Sequence, residues 1–278
     1  MSEQLNKLMD HILPHCQAGI VLGFSGGVDS SLLLAVLSLI REKQPFPVAA
    51  VMMCSQFQKE QEWQEAEALA SRYSIPLHRL EYDPLSIPEV RKNTRERCYH
   101  CKRHFFSGIL DFAAGKGMKT VFDGTNADDL NVYRPGLKAI RELGICSPLA
   151  ECGFSKKMIR DLSRELHLPT AEKAAAPCLA TRFKYGKELT AKELALVSEG
   201  ERVIHSFIPE AVEIRLRLEE NKARIEISSD WLPELYKQET TIRRELRTLG
   251  FSDLEIDPRG YRSGSFDENI TVKKGEVS

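Results

Sequence analysis

The stretch that most constrains this chain is GIVLGFSGGVDSSLLLAVLSLIRE, residues 19–42. GIVLGF (19–24) is an apolar run of strand length, and SSLLLAVLSLIRE (30–42) is a helix with its apolar side turned inward. SGGVDS falls at the junction between them. The alternation continues with FPVAAVMM (46–53) as strand and EQEWQEAEALASRY (60–73) as amphipathic helix. LHRLEY (77–82) is a short strand, a helix begins near Cys101, and KTVFDG (119–124) is the next strand. Such a β-α-β-α order predicts an α/β fold, a doubly wound parallel sheet with its ligand crevice beyond the strand C-termini.

The pattern changes near Thr190. A helix over AKELALVSEGERVIHSF precedes two alternating strands, AVEIRLRL (211–218) and KARIEI (222–227), a charged helix (230–248) and a strand near DLEID (253–257). This order predicts a smaller α+β domain around an antiparallel sheet. We therefore expect a nucleotide-binding domain over residues 1–170, a Pro- and Ala-rich linker over 171–189 carrying Cys178 and Arg182, and a small substrate or oligomerisation domain over 190–278. The 278 residues suffice for both domains.

Net charge is −1, which gives no general field for a polyanion, so nucleic acid is not an expected partner. No apolar run approaches the roughly 18 residues that span a bilayer, and MSEQLNKLMD lacks the order of a secretory signal. The expectation is a cytoplasmic protein without membrane contact. Seven cysteines in such a chain argue for thiols, metal ligands or catalysis rather than a disulfide scaffold.

At the strand–helix junction, backbone N–H groups face an anion. Gly26 and Gly27 let the backbone approach a ligand closely, Ser25 and Ser30 offer hydroxyls, and Asp29 could cap the helix or help hold Mg2+ near phosphates. The loop lacks the Lys-Ser/Thr ending of a Walker A motif and the G-x-G-x-x-G of a dinucleotide fingerprint. It resembles the pyrophosphate loop of the ATP pyrophosphatases. That resemblance implies binding of ATP, cleavage of its α–β bond, adenylation of a carboxyl or carbonyl oxygen and release of pyrophosphate.

RERCYHCKRHFF holds Cys98 and Cys101, and APCLATRFKYG holds Cys178. A Cys-x-x-Cys pair with a distant third cysteine is open to several readings. These are structural zinc with His100 or His104 as fourth ligand, an iron–sulfur cubane with one open iron, or unliganded thiols. A thioredoxin-type redox pair leaves the third cysteine without a role. Cys16, Cys54, Cys146 and Cys152 have no motif context and read as small core residues.

SGGVDS, NTRERCYHCK, DGTNADDLNVYRPG, SPLAECGFSKKMIR and PCLATRFKYG, in this order, resemble the ATP-dependent sulfur transferases of the LarE family, which serve synthesis of the nickel-pincer nucleotide, the lactate racemase cofactor. The resemblance runs from about residue 15 to about residue 265. It implies the fold of the adenine nucleotide alpha hydrolases. It also implies a small-molecule nucleotide substrate, pyridinium-3,5-biscarboxylic acid mononucleotide, whose carboxylates are adenylated and become thiocarboxylates. One type of member gives up the sulfur of a single cysteine, at the position of Cys178. The other holds a 4Fe-4S cluster on three cysteines and carries an extra sulfide from a sulfide donor. With Cys98, Cys101 and Cys178 all present, this chain resembles the cluster type. Family members form rings, often hexamers, so the resemblance implies a homo-oligomer.

The remaining motifs are placed within that scheme. Asn126, Asp128 and Asp129 follow a predicted strand and suit Mg2+ or ribose contacts. Lys102 and Arg134 could neutralise phosphate charge or be surface cations. Arg182, four residues after Cys178, can face the same cavity. Arg215 and Arg217 alternate onto one strand face, either around an anion or on a solvated surface. The family places its substrate phosphate near such arginines, with acids beside them that match Glu201 and Asp230. The catalytic set expected is Cys178, Asp29 and Lys102. Competing readings are a tRNA thiolase with a three-cysteine cluster, which would call for a basic stripe; an ammonia-dependent ligase of the NAD synthetase type, which would not need the cysteines; and a non-catalytic nucleotide or metal sensor.

Overall fold

The computed structural model describes residues 2–58, 60–131, 134–174 and 177–262. They divide into two compact units. The first takes residues up to Arg91 and from Arg95 to 174; the second takes Lys92–Thr94 and the chain from Pro177.

The first unit runs α1 (Glu3–Ile12), β1 (Ile20–Gly23), α2 (Val28–Lys43), β2 (Val48–Cys54), α3 (Glu60–Arg72) and β3 (Leu77–Glu81). It continues through a single turn α4 (Pro88–Arg91), α5 (Arg97–Gly115), β4 (Thr120–Phe122), α6 (Pro135–Glu142), the short α7 (Pro148–Glu151) and α8 (Lys156–Glu165). Successive strand residues point to opposite faces, and the core divides accordingly. Ile20, Leu22, Ala50, Met52 and Phe122 pack with α1, α2, α3 and α8. Val21, Val51, Met53 and Val121 pack with Phe106, Ile109 and Ala113 of α5 and Ile140 of α6. Because both faces are covered, β2 is buried along its whole length.

The sheet is parallel, in the order β3-β2-β1-β4. From β1 the chain winds outward to β2 and β3 with α2 and α3 on one face. It then returns across the other face through α5 to place β4 on the opposite side of β1. The winding therefore reverses between β1 and β4, and the crevice of such a sheet opens at that reversal. The loops after β1 and after β4, which hold SGGVDS and DGTNADD, are the two that meet there. The doubly wound parallel fold is as the alternation predicts. Additional to it are α1, α6, α7 and α8, and α5 begins one turn earlier than expected, at Arg97 rather than near Cys101.

In the second unit a 3-10 turn (Leu179–Arg182) leads to α9 (Ala191–His205), β5 (Ile214–Glu219), β6 (Lys222–Ile227), α10 (Leu232–Leu249) and β7 (Asp253–Ile256). Thr190 caps α9, its Oγ1 accepting the Glu193 N–H at 3.2 Å. The segment expected as linker is divided: residues to 174 lie with the first unit, and Pro177 onward lies with the second. The sheet is mixed and not antiparallel as expected. β5 and β6 form an antiparallel hairpin, but β7 pairs parallel to β6. The cause is α10, a crossover long enough to bring the chain back in the starting direction. Among the described residues no helix is long and apolar enough to cross a membrane.

Candidate active site

The loop after β1 is a self-bonded cradle. Gly26 sits at φ +67°, a conformation that disfavours a side chain, and Gly27 is the N-cap of α2. Ser25 and Ser30 approach to 3.1 Å between hydroxyls, Ser30 Oγ accepts the Ser25 N–H at 3.3 Å, and the Ser30 hydroxyl donates to Gly27 O at 3.2 Å. These bonds hold the turn in shape before any ligand arrives, with the positive end of a 16-residue helix behind it. Lys173 braces the loop from outside, bonding Gly26 O at 3.1 Å and Glu65 at 2.7 Å.

Asp29 lies in the first turn of α2 rather than at its cap. Its carboxylate accepts from Asn126 Nδ2 at 3.3 Å and from Lys156 Nζ at 2.5 Å. The loop after β4 is thereby tied to the loop after β1, and Gly124 makes that approach close. A Cβ at Gly124 would stand 3.2 Å from the Ser30 nitrogen. Asn126 Oδ1 accepts the N–H groups of Asp128 and Asp129 at 3.0 and 3.2 Å. Asp128 in turn accepts the backbone N–H of Lys156 at 2.8 Å, and Asp129 pairs with Arg134 at 2.9 Å. The two acids therefore hold neighbours in place, while Asp29 ties the loop after β1 to Asn126 and Lys156.

Asp123, buried at the end of β4, accepts from Thr125 at 2.5 Å and from Ser147 at 2.6 Å, with Lys102 Nζ at 4.0 Å. Ser147 starts α7, and Cys146 just before it bridges to Phe122 at the sheet edge. At the C-terminal ends of β2 and β3, a cavity of about 580 Å³ is lined by Met52, Cys54, Trp63, Arg79, Tyr82 and Asp83, among others.

Cys98 and Cys101 both lie in the opening turn and a half of α5, three residues apart and so on one face. Cys98 is exposed and Cys101 half-buried. The Tyr82 hydroxyl donates to Cys101 Sγ at 3.4 Å. Burial pushes the Cys101 thiol above its ordinary range, while that hydrogen bond and the charges of Arg97 and Lys102 act the other way. None of the seven cysteines is in a disulfide; Cys16, Cys54 and Cys152 are buried and Cys146 is half-buried.

In the second unit, Cys178 is exposed at the start of the 3-10 turn. Arg182, at its end, turns inward and forms a bidentate pair with Glu201 at 2.7 and 3.0 Å, both side chains being less than 5% exposed. Glu201 Oε1 also accepts the Leu216 N–H at 3.1 Å, which fixes α9 to β5. Arg215 and Arg217 are buried too, not solvated. Arg215 bonds Glu213 and lies over the Tyr261 ring at 4.9 Å. Burial first, and the positive charge of Arg182 second, lower it below the usual guanidinium range. Arg217 bonds Thr181 O and pairs with Glu226 at 2.8 Å. Asp230 is exposed in the turn after β6. Among the described residues, no group of three or more His, Cys, Asp or Glu side chains is gathered around one point.

Several residues of these sites escaped the sequence reading: Lys156, Lys173, Tyr82 and Glu226. Lys156 sits inside a motif already singled out, beside Lys157, which pairs with Asp161 one turn on at 2.8 Å. Glu226 could have been found from the hairpin register, where it stands opposite Arg215.

Residues 1–102 match the family model described as NAD synthase. Over 253 residues, 91% of this chain and 90% of the relative, the sequence is 33% identical to the pyridinium-3,5-bisthiocarboxylic acid mononucleotide synthase of Lactiplantibacillus plantarum. It is 33% identical over 254 residues to an uncharacterised protein of Synechocystis, covering 90% of this chain and 92% of that one. To an uncharacterised protein of Methanocaldococcus jannaschii it is 32% identical over 244 residues, covering 88% and 91%.

Proposed function

The chain belongs to the LarE family, enzymes of the ATP pyrophosphatase type, and from that premise we propose that it converts the carboxylates of pyridinium-3,5-biscarboxylic acid mononucleotide to thiocarboxylates. The observation that carries this reading is near-full-length similarity to a protein whose name states the bisthiocarboxylate product. The geometry of the first unit supports it, since a helix N-terminus, a preformed serine–glycine turn and the Asp29 carboxylate in the first turn of that helix suit a nucleoside triphosphate with its metal ion.

In the chemistry proposed, a substrate carboxylate oxygen attacks the α-phosphorus of ATP and pyrophosphate leaves. The N–H groups of the 25–30 loop and the Lys156 ammonium hold the departing negative charge. Asp29, its carboxylate kept in place by Asn126, would hold one Mg2+, which would neutralise phosphate charge. Lys102 is close enough to Asp123 to share the rim of that crevice. A sulfur nucleophile then attacks the adenylated carbonyl carbon and AMP leaves. Arg215 and Arg217 hold the substrate phosphate, and Glu201 holds Arg182 beside them; Asp230 is proposed as a further substrate contact.

The sulfur source proposed is the cluster type. Cys98 and Cys101 fit a cluster by their donor set: two free thiols one helical turn apart, one of them open to solvent. With Cys178, exposed in the second unit, they would hold a 4Fe-4S cluster by three thiolates. Such a group supplies an iron with an open position for exogenous sulfide. The nucleotide substrate, a sulfide donor, a homo-oligomeric state and a cytoplasmic location belong to the same proposal through the family.

Two measurements test it. Pyrophosphate should be released from ATP only when the pyridinium biscarboxylate nucleotide is present, and anaerobically purified protein should contain iron and acid-labile sulfide. Release with a tRNA substrate instead would transfer the chain to the thiolase reading. ATP binding without any pyrophosphate release would make it a sensor.

A further inference from the structure

Tyr82 follows directly on β3, and its own backbone is pinned: its N–H donates to Cys54 O at 2.9 Å, extending the pairing of β3 with β2. Its ring stacks on His104, with centroids 5.1 Å apart and planes 21° apart. His104 lies three residues after Cys101 on α5, so the ring is held against the face of the helix that carries the sulfur. The outcome is a phenol with little freedom to turn and a hydroxyl 3.4 Å from Cys101 Sγ. A neutral thiol is a weak acceptor, and a hydrogen bond donated to it contributes little. A thiolate is a much better acceptor, because the hydrogen bond is then charge-assisted.

We propose that Tyr82 is a positioning residue for the metal-bound form of Cys101, donating a hydrogen bond to the ligand sulfur and so tuning the cluster. This rests on the cluster reading above. Hydrogen bonds to ligand sulfur withdraw electron density and stabilise the more negative, reduced state, which raises the reduction potential. Tyr82 also lines the 580 Å³ cavity at the strand ends.

The test compares anaerobically reconstituted wild-type protein with Tyr82→Phe and Tyr82→Leu, read by iron content, midpoint potential and the Fe–S stretching frequencies of the bound cluster. Tyr82→Phe keeps the ring on His104 and removes the donor; Tyr82→Leu removes both. Cluster occupancy should equal wild type in Tyr82→Phe, with a more negative potential and shifted Fe–S(Cys) frequencies, and Tyr82→Leu should shift the potential in the same direction. Equal potentials and frequencies in wild type and Tyr82→Phe would overturn the inference and leave the cluster reading intact. So would a shift in Tyr82→Leu alone, which would assign the effect to ring packing. Loss of the cluster from a Tyr82→Phe protein with unchanged circular dichroism would also overturn it, since the hydroxyl would then be needed for assembly. Failure of wild-type protein to load any cluster would remove both the inference and the reading beneath it.

Discussion

Asp29 and Lys156 stand 127 positions apart in the chain and meet at 2.5 Å, a carboxylate from the first turn of α2 against an ammonium from the first residue of α8. Each is only partly buried, so the pair can exchange partners when a more highly charged ligand enters. A magnesium ion would draw Asp29, and a phosphate would draw Lys156. Asp29→Ala should therefore abolish pyrophosphate release. Lys156→Met should lower it by about 10²-fold, the usual effect of removing one donor to a developing anion. Lys157→Met, which loses only a surface pair, should behave as wild type. A pyrophosphate assay on the three variants checks this, and equal losses at Lys156 and Lys157 would contradict it.

Nothing local separates those two lysines in the sequence. Side by side, they differ only in where the fold of α8 aims them, and that is tertiary information. The strand–helix alternation was legible because both faces of a parallel sheet must be covered, which leaves continuous apolar strands such as β2. The direction of β7 was not, since pairing sense follows from the crossover and not from the period of the strand. The helices between residues 135 and 165 are short and opened by Pro135, Ser147 or Ser155, so they offer little periodic signal. Arg215 and Arg217 alternate along β5 as the sequence predicts, but their burial was hidden because Glu213 and Glu226 supply the counter-charge.

That pairing separates two effects. Arg217→Ala strips a partner from Glu226, which is 1% exposed, and should cost about 2 kcal/mol of stability, softened by the remaining contact from Arg224 at 3.1 Å. Arg215 pairs with the more exposed Glu213. Arg215→Ala should accordingly be the cleaner probe: substrate affinity should fall about tenfold or more for loss of one phosphate contact, with ATP affinity held. Isothermal titration with each ligand, alongside thermal melts, distinguishes the two variants. Unchanged substrate binding in Arg215→Ala would confine the residue to holding the fold.

The turn that presents Tyr261 to Arg215 depends on Asp257. This buried carboxylate accepts from Arg259 Nε and Nη2 at 3.1 and 3.0 Å and from the Arg259 N–H at 2.9 Å, and the Arg259 side chain holds it below the usual carboxylate range. A group depressed on folding stabilises the protein above its unfolded pKa and loses that contribution as pH falls through the folded one. Asp257→Asn should thus cost about 1 kcal/mol at neutral pH, a modest figure because Arg259 is exposed. The difference from wild type should shrink below about pH 4. Denaturant melts at neutral and acid pH decide it; a gap that widens on acidification would mean the sign is wrong.

The last prediction concerns where the sulfur originates. Cys178 is exposed and carries no burial that would protect its thiol, so geometry alone allows it to give up its own sulfur. Cys98 and Cys101, paired on one face of α5, have no part in such a reaction. If all three are ligands instead, each must be a thiolate, a form that a free cysteine adopts only to about 3% at neutral pH. Metal binding would supply that stabilisation, so replacing any one cysteine by alanine should remove most of the cluster absorbance and with it sulfur transfer. The adenylation half-reaction in the 25–30 loop should survive, because it uses different side chains. Supplied with sulfide, the wild-type protein should turn over repeatedly, and the peptide carrying Cys178 should keep its mass. Under the competing chemistry, each chain would pass its one Cys178 sulfur to the substrate a single time and be left with dehydroalanine, about 34 Da lighter, with Cys98→Ala and Cys101→Ala both still active. Mass spectrometry of that peptide after a counted number of turnovers separates the two, and stoichiometric loss at Cys178 would end the cluster proposal.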